Sequence, residues 1–161
     1  MSLLSFFQWL EAMPLSIAMR ESEWIFPFIE TVHVLALGVL LFPTALMDLR
    51  LMDLVMRDER ISQVRSQLMP WIWSGFAAMI VSGIFVLWSH PVKYYNSPFA
   101  RAKAVLLILA GVNAAVFELT RGRDVATWDH GHIPLKVKLA GGISLIVWIG
   151  IVVMGRAIAY G

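Results

Sequence analysis

Four long apolar stretches, at residues 24–47, 70–89, 99–117 and 135–155, alternate with short polar segments along this chain. Each is long enough to cross a hydrocarbon core that takes roughly 20 residues of helix. Pro70, Pro98 and Pro134 stand where the second, third and fourth stretches begin, and a first-turn proline loses no hydrogen bond. Pro27 and Pro43 lie within the first stretch, which predicts a bend or fraying near its ends. Ahead of it, Leu3, Leu4, Phe6, Phe7, Leu10 and Met13 recur at helical spacing beside Trp9. That pattern predicts an amphipathic helix over residues 2–13, lying along the membrane interface before the chain turns in at Pro14. The fold class is an all-α membrane protein: one four-transmembrane-helix bundle over residues 1–161, with an N-terminal interfacial helix.

Composition agrees with the pattern. The chain is 59% hydrophobic and 15% charged, too apolar for an ordinary soluble domain. Its net charge of +2 gives no footprint for nucleic acid, so the lipid bilayer is the expected surrounding. The absence of Cys removes disulfides, thiolate metal sites and cysteine-based catalysis. The first 22 residues lack the pattern of a removable signal peptide and are expected to stay on. Trp24, Trp71, Trp73, Trp88 and Trp128, with Tyr94 and Tyr95, gather near the span ends as an aromatic belt. Arg50, Arg57, Arg60, Arg65, Arg121, Arg123, Lys136 and Lys138 fall on one side, and Arg20, Lys93, Arg101, Lys103 and Arg156 on the other. The bias favours both termini outside.

Glu30 and His33 are the ionisable residues of the first stretch. A charged group at bilayer depth is expensive and normally marks a site, and a separation of three residues places both on one helix face. At about 1.5 Å of rise per residue, His33 lies roughly 13 Å from the outer end of its span. The same counting brings Asn113 and Ser144 to a similar depth with Ser82 slightly shallower, which predicts one polar layer shared by all four spans. Ala78 with Ser82, Ala110 with Ala114 and Ala140 with Ser144 would let the helices approach closely around it. Ser and Asn also serve simply to join membrane helices. A buried acid and imidazole suggest a ligand, a proton relay or a cofactor contact.

Other polar groups carry weaker signals. His90, at the outer end of span two, reads as an interfacial cap that could reach a cofactor. Asp129, His130 and His132 form a D-H-G-H run with donors that suit zinc or copper. Glu118 is expected to pair with an arginine near the inner surface. Asp48, Arg50, Asp53, Arg57, Asp58, Glu59 and Arg60 read as a continuing helix with solvent-facing ion pairs. No phosphate-binding glycine loop, G-x-S-x-G elbow or H-E-x-x-H is present, so nucleotide hydrolysis, acyl transfer and zincin proteolysis have no support.

Short motifs run nearly end to end: W-L-E-A-x-P-L-S from Trp9, R-E-S from Arg20, E-x-x-H from Glu30, D-L-R-L from Asp48, P-W-x-W-x-G-F from Pro70, Y-Y-x-x-P-F from Tyr94, A-G-x-N-A from Ala110 and G-R-x-I-A-Y from Gly155. In these the chain resembles a group of small bacterial inner-membrane proteins known as a domain of unknown function. Its four helices with a His in the first are loosely similar to cytochrome b modules and copper-resistance membrane proteins. Three expectations follow. In the first, His33 ligates haem b or contacts a quinone, with Glu30, Asn113, Ser144 and His90 around the cofactor, and a redox partner exchanges electrons with it. In the second, Glu30 and His33 hold copper or zinc, loaded through Asp129, His130 and His132. In the third, the chain is an accessory subunit or homo-oligomer whose polar layer fixes helix register.

Overall fold

The computed structural model describes residues 2–120, 125, 127, 129 and 133–160. Two short helices, α1 (Leu3–Glu11) and α2 (Pro14–Glu21), precede α3 (Ile25–Leu51) and α4 (Ile61–Ser89). A single-turn α5 (Pro91–Asn96) leads into α6 (Pro98–Thr120), and α7 (Leu135–Ala157) ends in a 3₁₀ turn at Ile158–Tyr160. Helices α3, α4, α6 and α7 are each long and apolar enough to cross a membrane, and no strand occurs among the described residues. The chain is a multi-pass membrane protein. We call the end where α3 begins and α7 finishes the terminal side, and the opposite end the loop side.

Prolines start several helices where no N–H is needed: Pro14 in α2 and Pro91 in α5, while Pro98 begins α6. Pro70 departs from expectation. It lies well inside α4, whose first residue is Ile61. The leading segment of α4 is amphipathic, with Ile61 and Val64 in the core and Ser62, Gln63 and Ser66 outside it, so a purely apolar criterion starts the helix too late. At Pro43, inside α3, the ladder loses a donor, and the neighbouring Thr44 hydroxyl donates to the Leu40 carbonyl at 2.7 Å.

Glycines set how the spans meet. A Cβ on Gly75 of α4 would come within 2.8 Å of the Leu40 backbone of α3, and one on Gly141 of α7 within 2.8 Å of the Asp48 carbonyl oxygen. Gly150 of α7 receives the Leu106 side chain of α6. At Gly75 and Gly141 the contact is backbone to backbone, the arrangement that favours association in lipid. These sites differ from the alanine and serine pairs that spacing suggests.

α3 packs on α4 and α7, and α6 packs chiefly on α7, barely approaching α3 or α4 among the described residues. No residue of α6 is buried. On the loop side, Met47, Leu51, Ile61, Val64, Val125, Ile133 and Val137 form the apolar core. There the Arg65 guanidinium of α4 donates to both Glu118 oxygens of α6 at 2.7 Å. Glu118 therefore pairs with an arginine, as expected, but with one from another span.

The terminal side is closed by α1, α2 and α5. Ser16 and Ser89 are fully buried, and the Ser16 hydroxyl donates to the Trp88 carbonyl at 2.9 Å. Arg20 donates to Ser16 Oγ, the Ser89 carbonyl and the Glu11 carbonyl. Trp88 and Ser89 end α4, where helix carbonyls lack partners and a cation complements the dipole. Phe7 of α1 packs on Tyr95 of α5 at 5.1 Å.

Candidate functional site

His33 and Ser82 form the centre of the site. His33 Nδ1 lies 2.9 Å from Ser82 Oγ across the α3–α4 seam. Ser82 Oγ also lies 2.6 Å from the Ala78 carbonyl oxygen one turn back. A carbonyl oxygen only accepts, so the single hydroxyl proton of Ser82 goes to Ala78 and its lone pair faces His33. The imidazole therefore donates from Nδ1–H, and in its neutral form Nε2 carries a lone pair. Gly83 sits beside this edge of the ring; a Cβ there would stand 3.3 Å from His33 Cε1.

Glu30, one turn toward the terminal side, is exposed and not joined to His33. It is close enough to Tyr94 of α5 to act on its phenol: burial first, and the Glu30 carboxylate second, push the Tyr94 hydroxyl above its ordinary range. The charge that acts on His33 is Lys103 of α6. The Lys103 ammonium lies against Gly155 of α7, 3.2 Å from where a Cβ would be, and has no carboxylate within 4 Å among the described residues. Counting Lys103 as a loop charge hides it; an ammonium on the sixth residue of a membrane helix was the available signal.

The single polar layer divides into two levels. Ser144 lies beside Asp48, fifteen residues from His33 and so about 22 Å along α3. The Asn113 amide donates to the Ala140 carbonyl at 3.2 Å, joining α6 to α7 toward the loop side. Neither reaches His33. The helices extend past their apolar stretches by unequal lengths, which shifts every depth counted from an apolar edge. Asp48 and Arg50 also depart from the solvent-facing expectation: they are 7% and 4% exposed, Asp48 because its face of α3 meets Gly141 and Arg50 because it turns under the α3–α4 loop to the Glu59 carbonyl.

His90 lies at the C-terminal end of α4, with Nδ1 3.0 Å from Ser89 Oγ and its ring edge-on to Phe26 at 5.1 Å. Phe26 precedes His33 by two turns, so the two imidazoles occupy different depths. Burial, then the Arg20 and Lys93 cations, lower the His90 pKa below 6.5, against an opposing push from Glu11. A folded-state pKa below the unfolded one means that the unfolded chain binds the proton more readily. His90 then contributes stability above pH 6.5 that is lost as pH falls from 6.5 through the lowered value. We expect the melting temperature to fall on acidification from pH 7.5 to 5.5, and the fall to be smaller in His90→Gln; identical pH dependence in both proteins would remove His90 as a contributor.

The Asp129 carboxylate accepts from the Ser62 amide at 2.9 Å and from the Ser62 hydroxyl, capping the first turn of α4. His130 and His132, the other members of that run, and Trp128, Arg121 and Arg123 lie outside the described residues. Among the described residues no three His, Asp or Glu side chains gather as a metal-binding group.

Residues 6–161 match a family of unknown function, DUF6644. The chain belongs to this family. No curated protein and no solved structure matches it. The chemical feature of this DUF6644 chain is an imidazole anchored by a serine inside an apolar helix pair, within electrostatic reach of an ammonium that has no carboxylate partner among the described residues.

Proposed function

We propose that this DUF6644 protein is a small redox module of the bacterial inner membrane in which His33 contacts a quinone or ligates the iron of a b-type haem. The observation that carries the reading is the Ser82 anchor, which fixes the ring and leaves Nε2 as a lone pair at membrane depth. Metal-binding and proton-accepting histidines are oriented in this way, through a hydrogen bond at the other ring nitrogen. The hydroxyl of a reduced quinone needs one such acceptor, and haem iron accepts one His with another axial group or none. Glu30 and Tyr94 lie between this level and the terminal side, where they could exchange protons with water. The Lys and Arg bias supports termini in the periplasm, and exposed Leu3, Phe6 and Trp9 support α1 lying along the interface.

The test is an absorption spectrum of detergent-purified protein, air-oxidised and then dithionite-reduced, together with organic extraction of the same sample and quantification of quinones. We expect either a Soret band that sharpens on reduction or about one quinone per chain, and loss of that signal in His33→Ala. Wild-type protein with neither, from cells supplied with haem precursor, would refute the redox reading and favour an ion-handling or accessory role.

A further inference from the structure

We propose that the His33 site selects the reduced, hydroxyl-bearing form of a quinone, with Lys103 donating to the oxygen at the far end of the ring. The inference rests on the quinone form of the reading above and assigns it a ligand state and a second anchor. Selection follows from the proton inventory. Ser82 directs its only proton to Ala78 at 2.6 Å, so His33 spends its one neutral-state N–H on Ser82 at 2.9 Å. Nε2 is then an acceptor alone. A hydroquinone O–H satisfies it, whereas a quinone carbonyl would bring lone pair against lone pair.

Lys103 is suited to the opposite oxygen of either form. Its ammonium has three donors and no acceptor, no carboxylate partner among the described residues, and a seat against Gly155 that a side chain would crowd. Gly83 keeps the approach to the exposed ring edge clear, and α6 does not pack onto the α3–α4 seam that carries His33. The arrangement thus offers one acceptor and one charged donor from different helices, a pairing that matches a hydroquinone and half matches a quinone.

The experiment is equilibrium dialysis of a short-chain ubiquinone and of its hydroquinone, the latter under argon, against the full-length detergent-purified protein at pH 8, where an unperturbed imidazole with a pKa of about 6.5 is neutral. We expect the hydroquinone to bind about tenfold more tightly, the scale of one hydrogen bond replaced by an unpaired acceptor. Ser82→Ala removes the partner of Nδ1–H and frees the proton to move to Nε2, so the preference should shrink below about threefold while binding persists. Lys103→Met should weaken both forms by about tenfold, with most of the loss restored by Lys103→Arg. Equal binding of the two forms by the wild type, or a preference for the quinone, would overturn the inference and leave the redox reading standing. Binding of neither form would overturn the inference together with the quinone reading, and the reduced-minus-oxidised spectrum would then decide the haem reading separately.

Discussion

Replacing Gly75 with Val is expected to destabilise the protein by about 3 kcal/mol, at the upper end of what overpacking costs, and to lower its melting temperature by about 6–12 °C. Even one methyl at Gly75 would meet the Leu40 amide nitrogen at 2.7 Å and its Cα at 2.8 Å. Those atoms belong to a helix backbone, so no side chain can turn aside, and α3 and α4 must separate. The consequence reaches the site. Gly75 and Ser82 are seven residues apart on α4, as are His33 and Leu40 on α3, so both pairs lie along one seam, and spreading it at Gly75 loosens the 2.9 Å contact between His33 and Ser82. Any cofactor bound through His33 should fall with the stability. Gly38→Ala is the control: nothing lies within 4 Å of a Cβ there, and exchanging a helical glycine for alanine should stabilise by about 1 kcal/mol or less. Thermal unfolding in one detergent checks both; an unchanged melting point in Gly75→Val would show that the seam yields.

The α3–α4 seam also marks how far the amino-acid sequence reaches. The spans are legible because lipid demands long apolar helices and little else competes with that signal. Glu30 and His33 stand out for the same reason, as polar residues in an apolar stretch. Partners were much less legible. Glu118 reads as bound to an arginine, yet two arginines follow it in sequence and the pair forms with Arg65, fifty-three residues away. Lys103 looks like a flanking charge, although its ammonium lies against Gly155 of α7 and its field reaches His33 of α3. Asp48 and Arg50 sit at the head of a charged run and share its appearance, while the run itself divides between a buried helix face and an exposed loop. Periodicity says which residues share a face of one helix; which helix they meet depends on where glycines allow backbones to touch, and those contacts are nonlocal.

Arg50→Met should destabilise the protein by about 2–3 kcal/mol, the scale for losing a hydrogen bond from a charged donor and exposing its acceptor to poor company. Arg50 is 4% exposed. It donates from Nη2 to the Glu59 carbonyl at 2.7 Å, and its Nη1 lies 3.6 Å from Asp53 Oδ1. Asp53 in turn meets the Lys138 ammonium of α7 at 3.4 Å, so one arginine ties the α3–α4 loop to two spans. The loop needs that restraint. Asp53 and Met56 hold φ of 65° and 50°, left-handed conformations that cost an L-residue about 1–2 kcal/mol each. Without Arg50 these residues should relax, and the loop should open before the bundle does. Limited trypsin digestion tests this directly, since Arg57 and Arg60 lie in the loop and should be cut faster in Arg50→Met at temperatures where the spans remain helical. Arg50→Lys keeps the charge without the fork and should fall between the two. Cleavage and melting indistinguishable from the wild type would return Arg50 to the solvated charged run it resembles in sequence, with the loop held by Lys138 and its own backbone bonds.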